Sequence, residues 1–165
     1  MLLAIAVLVI IAEPADRLLR LDALLSRPDT RALASDWMLE NLPPTAPLRF
    51  LHPLIFGRPP AASFYPNRLA LPEGVTAQQI SAAIREIAHR GWYFILDEHP
   101  LDYSYTPPEL RGMVSREAKT VFTVDPFVPA ARPAVFDPFD AFYVPIDGFD
   151  AVRLPGPAIR IYRIE

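Results

Sequence analysis

The segment "GVTAQQISAAIREIAHRGWYFILDE" constrains the fold more than any other part of the chain. Thr76 and Gln79 have the spacing of a capping box, and the isoleucines that follow recur at helical intervals, so residues 76–90 predict an amphipathic helix. Gly91 stands where a helix C-terminus favours glycine, and the continuous apolar run "WYFIL" after it predicts a strand buried on both faces. Helix, glycine turn and buried strand make up half of a βαβ unit.

The other half of that unit is predicted at residues 47–54, "PLRFLHPL". A right-handed crossover places this strand beside the strand at residues 92–97 and parallel to it, with the helix at residues 76–90 over one face. A second helix is predicted at residues 30–42 and could cover the other face.

The second helix has clear signals at both ends. Asp29 or Thr30 can cap its start, and the pair of prolines after Leu42 ends it, because proline lacks the N–H and clashes with the preceding turn. Leu33, Trp37 and Leu42 form its predicted apolar face. This predicts that Trp37 lies in the core.

Two later segments, "KTVFTVDPF" and the terminal "AIRIYRIE", are also predicted strands, the second as an edge or half-buried strand. Between them, residues 128–157 predict an ordered loop packed on the sheet, and two "DPF" triplets predict paired turns. The expected fold class is therefore α/β: a small, mainly parallel or mixed sheet flanked by helices and preceded by a short hydrophobic N-terminal helix.

Composition excludes several function classes. The chain of 165 residues suits one domain, and its net charge of −3 argues against a nucleic-acid partner. The absence of cysteine rules out disulfides and thiolate metal sites. Twenty prolines against six glycines predict long ordered coil segments rather than a helical bundle.

The N-terminal run "MLLAIAVLVIIA" is uncharged and apolar. A signal peptide would need a basic region before it, and a buried core helix is a second interpretation. The third, which we favour, is the outer end of a transmembrane helix whose beginning is missing from this chain, since the run alone is too short to span a bilayer. Residues 1–25 are therefore expected to be the end of a transmembrane or interfacial helix, with a leucine stripe at Leu18, Leu21, Leu24 and Leu25.

Candidate reactive groups are few. Of the three histidines, His52, His89 and His99, the second is interpreted as structural. Asp97, Glu98 and His99 follow the end of the predicted parallel strand, where ligand sites of open α/β sheets usually lie, and could supply a general base or metal ligands. Adjacent strand residues point to opposite faces, however, so a polar strand end is the favoured interpretation.

A further aromatic group could stack against a sugar, although core packing under a loop is favoured; it comprises Phe136, Phe139, Phe142 and Tyr143. The chain has no glycine-rich phosphate loop, nucleophile elbow or H-E-x-x-H sequence. No catalytic residue, cofactor site or metal site is predicted.

The segment "RPDTRALASDWMLENLPP" resembles the region just after the last membrane helix in bacterial membrane glycosyltransferases of the dolichyl-phosphate-mannose–protein mannosyltransferase type (glycosyltransferase family 39, GT-C fold). The end of the chain, "RLPGPAIRIYRIE", resembles the closing strand of the same family, and "GWYFILDEHPLDYSY" resembles one of its inner strands. The matching residues, all interpreted as structural, are Asp29, Thr30, Arg31, Trp37, Asn41, Pro43, Gly156, Pro157, Tyr162 and Arg163.

The resemblance implies that residues 26–165 form a soluble α/β domain on the extracytoplasmic, or periplasmic, side of a membrane. The family's catalytic acidic residues lie in a loop between membrane helices that this chain does not contain. The parent enzyme would transfer a sugar from a polyprenyl-phosphate donor to an acceptor. This chain would be its non-catalytic C-terminal domain, shaping the acceptor side beside upstream transmembrane helices. The alternatives are a free-standing, membrane-tethered binding or scaffold module and, less favoured, a small hydrolase using Asp97, Glu98 and His99.

Overall fold

The computed structural model describes residues 2–50, 58–65, 69–70, 91–101, 106, 108–139 and 143–164. Within these ranges the chain forms three α-helices and seven strands. The helices are α1 (Leu2–Leu25), α2 (Thr30–Asn41) and α3 (Pro108–Glu117). The strands are β1 (Leu48–Phe50), β2 (Leu69–Ala70), β3 (Tyr93–Glu98), β4 (Lys119–Val124), β5 (Val135–Phe136), β6 (Pro145–Asp147) and β7 (Ala158–Arg163).

Five of the strands form one sheet in the order β2-β1-β3-β7-β4. β1 is parallel to both β2 and β3, whereas β7 is antiparallel to both β3 and β4. The predicted adjacency of the strands at residues 47–54 and 92–97 is confirmed for the described residues, since Leu48 pairs with Tyr93 and Phe50 with Ile95. The sheet is mixed rather than mainly parallel, because the C-terminal strand returns antiparallel beside β3.

The turn before β3 has the predicted geometry. Gly91 has φ +88°, in the region that glycine tolerates best, and its N–H donates to the carbonyl of Ile164 at 2.9 Å. All residues from Tyr93 to Asp97 are buried, as the continuous apolar run predicted. The helix predicted at residues 76–90 lies outside the described residues, as do His52 and His89.

Helix α2 begins and ends where the sequence predicted. The Asp29 side chain caps its start by accepting from the N–H of Arg31 at 2.7 Å, and the helix stops before the two prolines. The predicted apolar face is displaced, however. Its buried members are Ala34, Met38 and Leu42, and Trp37 is only half-buried at the edge of the core.

The edge assignment of the C-terminal strand was wrong. β7 lies between β3 and β4, and Ile159 and Ile161 are fully buried while Tyr162 is 2% exposed. Arginines at alternate positions suggested a half-exposed strand, but Arg160 is paired with carboxylates instead of facing water. Ion pairing thus allows a central strand to have charged residues at alternate positions, a pattern that is typical of an edge strand.

The part of the segment 128–157 that the structure describes is more than the predicted loop. It includes the two-stranded sheet β5-β6 and a short 3₁₀-helix, Phe149–Ala151. Both predicted turns at "DPF" are confirmed. In the first, the Asp125 carboxylate accepts from the N–H of Phe127 at 3.0 Å, and in the second Asp137 accepts from Phe139 at 2.9 Å.

Helix α1 is longer and less uniformly hydrophobic than the predicted short helix. It has 24 residues and contains Pro14, which follows directly on the apolar segment and Glu13. Its C-terminal part docks on the domain through Leu24, which is buried with Val144 and Val152. Among the described residues, no helix combines the length and apolar character needed to cross a membrane.

Candidate functional site

The candidate site lies at the carboxyl end of β3, the strand that is flanked in the sheet by β1 and β7. Because side chains alternate along a strand, Asp97 shares a face with Tyr93 and Ile95, the face that α2 covers. Glu98 faces the opposite way. The structure therefore keeps the two neighbouring carboxylates on different sides of the sheet.

Asp97 is a buried carboxyl group with 1% of its surface exposed. Neither of its oxygens has a hydrogen-bond partner among the described residues. Burial raises the pKa of Asp97 to about 7, although the guanidinium of Arg58 opposes this shift. Arg58 itself lies over the ring of Phe50, 4.3 Å from its centroid. The protonated, neutral form of Asp97 suits this apolar environment better than the carboxylate does, which is why burial raises the pKa.

Glu98 is held by two arginines on the other face of the sheet. Arg160 of β7 and Arg111 of α3 each form an ion pair with its carboxylate. Arg160 also lies 3.8 Å from a carboxylate oxygen of Asp125. A carboxylate that two guanidinium groups already hold is poorly suited to act as a general base.

His99 follows β3 and lies in an aromatic enclosure. Its ring centroid is 4.2 Å from that of Phe136, 4.8 Å from Tyr143 and 5.5 Å from Phe127. Its Nδ1 accepts a hydrogen bond from the N–H of Leu101 at 3.3 Å, whereas its Nε2 has no partner among the described residues. Burial lowers the pKa of His99 to about 4, so the ring is neutral near pH 7 and carries its hydrogen on Nε2.

A cavity of about 240 Å³ opens beside these groups. It brings Glu98 and His99 together but excludes Asp97, so the three predicted site residues do not converge. The Thr106 side chain, 2% exposed, also borders it, and its hydroxyl has no partner among the described residues. The full lining is Glu98, His99, Pro100, Thr106, Arg111, Asp125, Phe127, Ala158 and Arg160.

The two ends of the chain that resemble the glycosyltransferase family meet at the start of α2. The Thr30 N–H donates to the carbonyl of Pro155 at 2.9 Å. Gly156 has φ +103°, and a Cβ placed on it would lie 2.2 Å from Thr30 Oγ1 and 2.8 Å from Asp29 Oδ1. Only glycine fits this close approach.

The other residues on which the family resemblance rests make packing contacts or hydrogen bonds within the fold, or lie next to the ends of its helices and strands. Asn41 donates its side-chain amide to the carbonyl of Trp37 at 2.9 Å, and the indole of Trp37 stacks on Phe122 at 5.1 Å between centroids. Tyr162 is buried, and the Arg163 guanidinium lies 5.9 Å from the Tyr93 ring centroid. Pro43 follows the end of α2, and Pro157 precedes β7.

The residues of the predicted aromatic group do not lie together on one surface. Tyr143 is buried at 1% exposure and Phe136 is half-buried, both against His99, whereas Phe139 is 93% exposed. Phe142 lies outside the described residues. Packing explains the first two residues, and they do not form an open stacking surface with Phe139.

A second, apolar groove of about 650 Å³ runs between α1 and the β6 region. Leu18 and Ile146, on its two sides, are 65% and 57% exposed. The lining comprises Pro14, Arg17, Leu18, Leu21, Leu25, Val144, Pro145, Ile146 and Phe149. The predicted leucine stripe thus divides between docking on the domain and lining this groove.

Sequence reasoning missed three residues of the cavity, Thr106, Arg111 and Arg160. A signal existed for Arg160, because a charged residue between two isoleucines of a strand needs a partner if that strand is central. Nothing in the sequence singles out Thr106 or Arg111. Comparison of the chain with family models, with curated proteins and with solved structures gave no match.

Proposed function

We propose that this chain is the non-catalytic C-terminal domain of a polyprenyl-phosphate-sugar-dependent membrane glycosyltransferase, lying on the extracytoplasmic side and shaping the acceptor side. The observation that carries the proposal is the form of α1. One continuous helix joins an apolar segment, with Val9 69% and Ile10 72% exposed, to a part that docks on the domain through Leu24. Such a helix suits a domain held against a bilayer.

The contact between the start of α2 and Gly156 supports the same proposal. The segments "RPDTR" and "LPGP", far apart in the chain, are two of the segments on which the family resemblance rests. They meet through Thr30, Pro155 and Gly156. Matching segments that contact each other in the fold support a family resemblance better than matching segments that lie far apart on the surface.

The chemistry of the described residues favours a non-catalytic role. Asp97 and Glu98 face opposite sides of the sheet, and Glu98 is engaged by Arg111 and Arg160. His99 is enclosed by aromatic rings. None of these groups is arranged with another as nucleophile and base, the arrangement that hydrolysis or group transfer needs.

Vesicle flotation tests the role of α1. The chain is expected to float with phospholipid vesicles through its apolar N-terminal segment, and the double variant Val9→Glu/Ile10→Glu is expected to stay with the dense fraction. Leu39→Glu is the matched control, because Leu39 is a 57% exposed leucine on α2. Wild-type protein that does not float, or a Val9→Glu/Ile10→Glu variant that floats as well as the control, would contradict the proposal.

The alternative, a free-standing membrane-tethered binding or scaffold module, is favoured by the apolar groove between α1 and the β6 region. Such a groove could receive a partner whether or not a transferase is present. The DNA upstream of the codon for Met1 distinguishes the two proposals. An in-frame series of hydrophobic helices supports the transferase domain, and an independent ribosome-binding site supports the separate module.

A further inference from the structure

The apolar groove between α1 and the β6 region continues along one face of α1. Five apolar residues of α1 recur three or four positions apart: Ile11, Pro14, Leu18, Leu21 and Leu25. This spacing places side chains on one face of a helix, which we call the groove face. All of them except Ile11 line the groove, and Ile11 extends the face into the exposed apolar segment. At about 1.5 Å per residue the groove face is about 21 Å long.

A charged cleft of about 430 Å³ also lies beside α1, apart from the groove face. Four charged side chains of α1 border this cleft: Glu13, Asp16, Arg17 and Arg20. Arg17 is the only one of these that also borders the apolar groove. β6 divides in the same way, because neighbouring strand residues point to opposite faces, and Ile146 lines the groove whereas Asp147 lines the cleft. α1 and β6 therefore present an apolar side and a charged side.

The groove offers a partner hydrocarbon surface and little else. Arg17 is the only charged side chain among the described residues of its lining. Its guanidinium already pairs with Glu13 at 2.8 Å and lies 3.7 Å from a carboxylate oxygen of Asp147. Interfaces between proteins typically carry about ten direct hydrogen bonds, which this lining has few side chains to supply. The acyl chains of lipids need none, so hydrocarbon suits the groove better than a peptide does.

We propose that the groove face rests on the acyl chains of a phospholipid bilayer, with α1 lying along the membrane surface and the charged cleft turned toward water. Interfacial amphipathic helices bury their apolar face by about 5–10 Å at the boundary of headgroups and acyl chains. Leu18, Leu25 and Ile146, which are each more than half exposed, contact the lipid. Because the arginines of α1 that border the cleft are paired with carboxylates, a zwitterionic lipid suffices. The inference rests on the membrane association in the proposed function and adds which side of the domain contacts lipid.

Single cysteines carrying a nitrobenzoxadiazole dye test the proposal, because the chain contains no cysteine of its own. Leu18→Cys places the dye on the groove face, and Ile146→Cys places it on the opposite wall of the groove. When the labelled full-length chain is mixed with phosphatidylcholine vesicles, the emission of both should move to shorter wavelength. Lipids brominated on their acyl chains should lower that emission about twofold or more, because the dye lies within about 5–10 Å of the headgroup boundary.

Two matched positions should not respond to the vesicles. Arg132→Cys places the dye in the charged cleft, and Leu39→Cys places it on α2. Both residues are exposed, as Leu18 and Ile146 are, so labelling at any of the four positions should leave the fold intact. Val9→Cys, in the apolar segment of α1, reports whether the chain has bound the vesicle at all.

The outcomes separate this inference from the proposed function. A response at position 9 with none at positions 18 and 146 would overturn the inference and leave the membrane association standing. No response at position 9 would contradict the association and, with it, the inference. An equal response at positions 132 and 146 would refute the orientation. A shift at position 146 that needs only more protein and no vesicles would overturn the inference in favour of a second copy of the chain in the groove.

Discussion

Replacing Gly156 with alanine tests the contact that joins the two ends of the domain. Two effects add. At φ +103° an alanine is strained by about 1–3 kcal/mol, and its Cβ would lie 2.2 Å from Thr30 Oγ1, an overlap that typically destabilises by about another 1–3 kcal/mol. The expected loss of about 2–6 kcal/mol is a large part of the roughly 5–15 kcal/mol that stabilises a domain.

Urea unfolding followed by tryptophan fluorescence measures this loss. With a slope of about 2 kcal/mol per molar urea, the midpoint should fall by about 1 M or more. Gly112→Ala is the matched control, because Gly112 lies inside α3 and its added Cβ would meet only the Arg116 side chain at an ordinary 3.5 Å. That substitution should stabilise the protein by about 0.5–1 kcal/mol.

The contact itself can be separated from the backbone strain. In a Thr30→Ala background the nearest atom to the new Cβ is absent, so Gly156→Ala should cost less than it does in the wild-type protein. An unchanged urea midpoint for Gly156→Ala would refute the reasoning about this glycine. An equal loss in both backgrounds would refute the role of Thr30.

Three further predictions concern Asp97, His99 and Trp37. The pKa of Asp97 is raised to about 7 from an unfolded value near 3.8, so the folded state binds more protons between these pH values and the free energy of unfolding falls as the pH rises from about 4 to about 7. Asp97→Asn should remove this fall in urea titrations at several pH values. A variant whose pH profile matches the wild-type profile would contradict the prediction. The pKa of His99 is lowered to about 4, so the unfolded state binds more protons between about pH 4 and 6.5 and the free energy of unfolding rises with pH in that range. His99→Phe should flatten this rise in the same urea titrations. A variant profile parallel to the wild-type profile would contradict the prediction. Trp37→Ala should destabilise the protein by about 1–3 kcal/mol, less than the roughly 3–5 kcal/mol typical of a buried aromatic residue, because the indole is half-buried against Phe122. Trp37→Phe should retain most of the stability. An unchanged melting temperature for the alanine variant would show that the packing of the indole does not stabilise the fold.

Local signals predicted the parts of the fold that depend on neighbouring residues. The cap at Asp29, the turn at Gly91, the buried strand β3 and the two "DPF" turns follow from short-range chemistry, and all four are present. The order of strands depends on long-range pairing. Alternating arginines therefore suggested an edge for β7, although distant carboxylates allow it a central place.

The candidate site was only partly predictable for the same reason. The position of Asp97, Glu98 and His99 at a strand end follows from the sequence, and so does the separation of the two carboxylates across the sheet. The partners of Glu98 come from α3 and β7, 13 and 62 residues away in sequence, and no local pattern connects them. The cavity exists only once those elements pack together.

Transfer of labelled sugar from a polyprenyl-phosphate donor to a panel of acceptors tests the central claim most directly. The chain alone is expected to show no turnover, and activity is expected only when the upstream membrane helices are supplied with it. Turnover by the chain alone, abolished by Asp97→Asn and His99→Ala, would contradict the account, because it would show that the reactive groups lie in this domain.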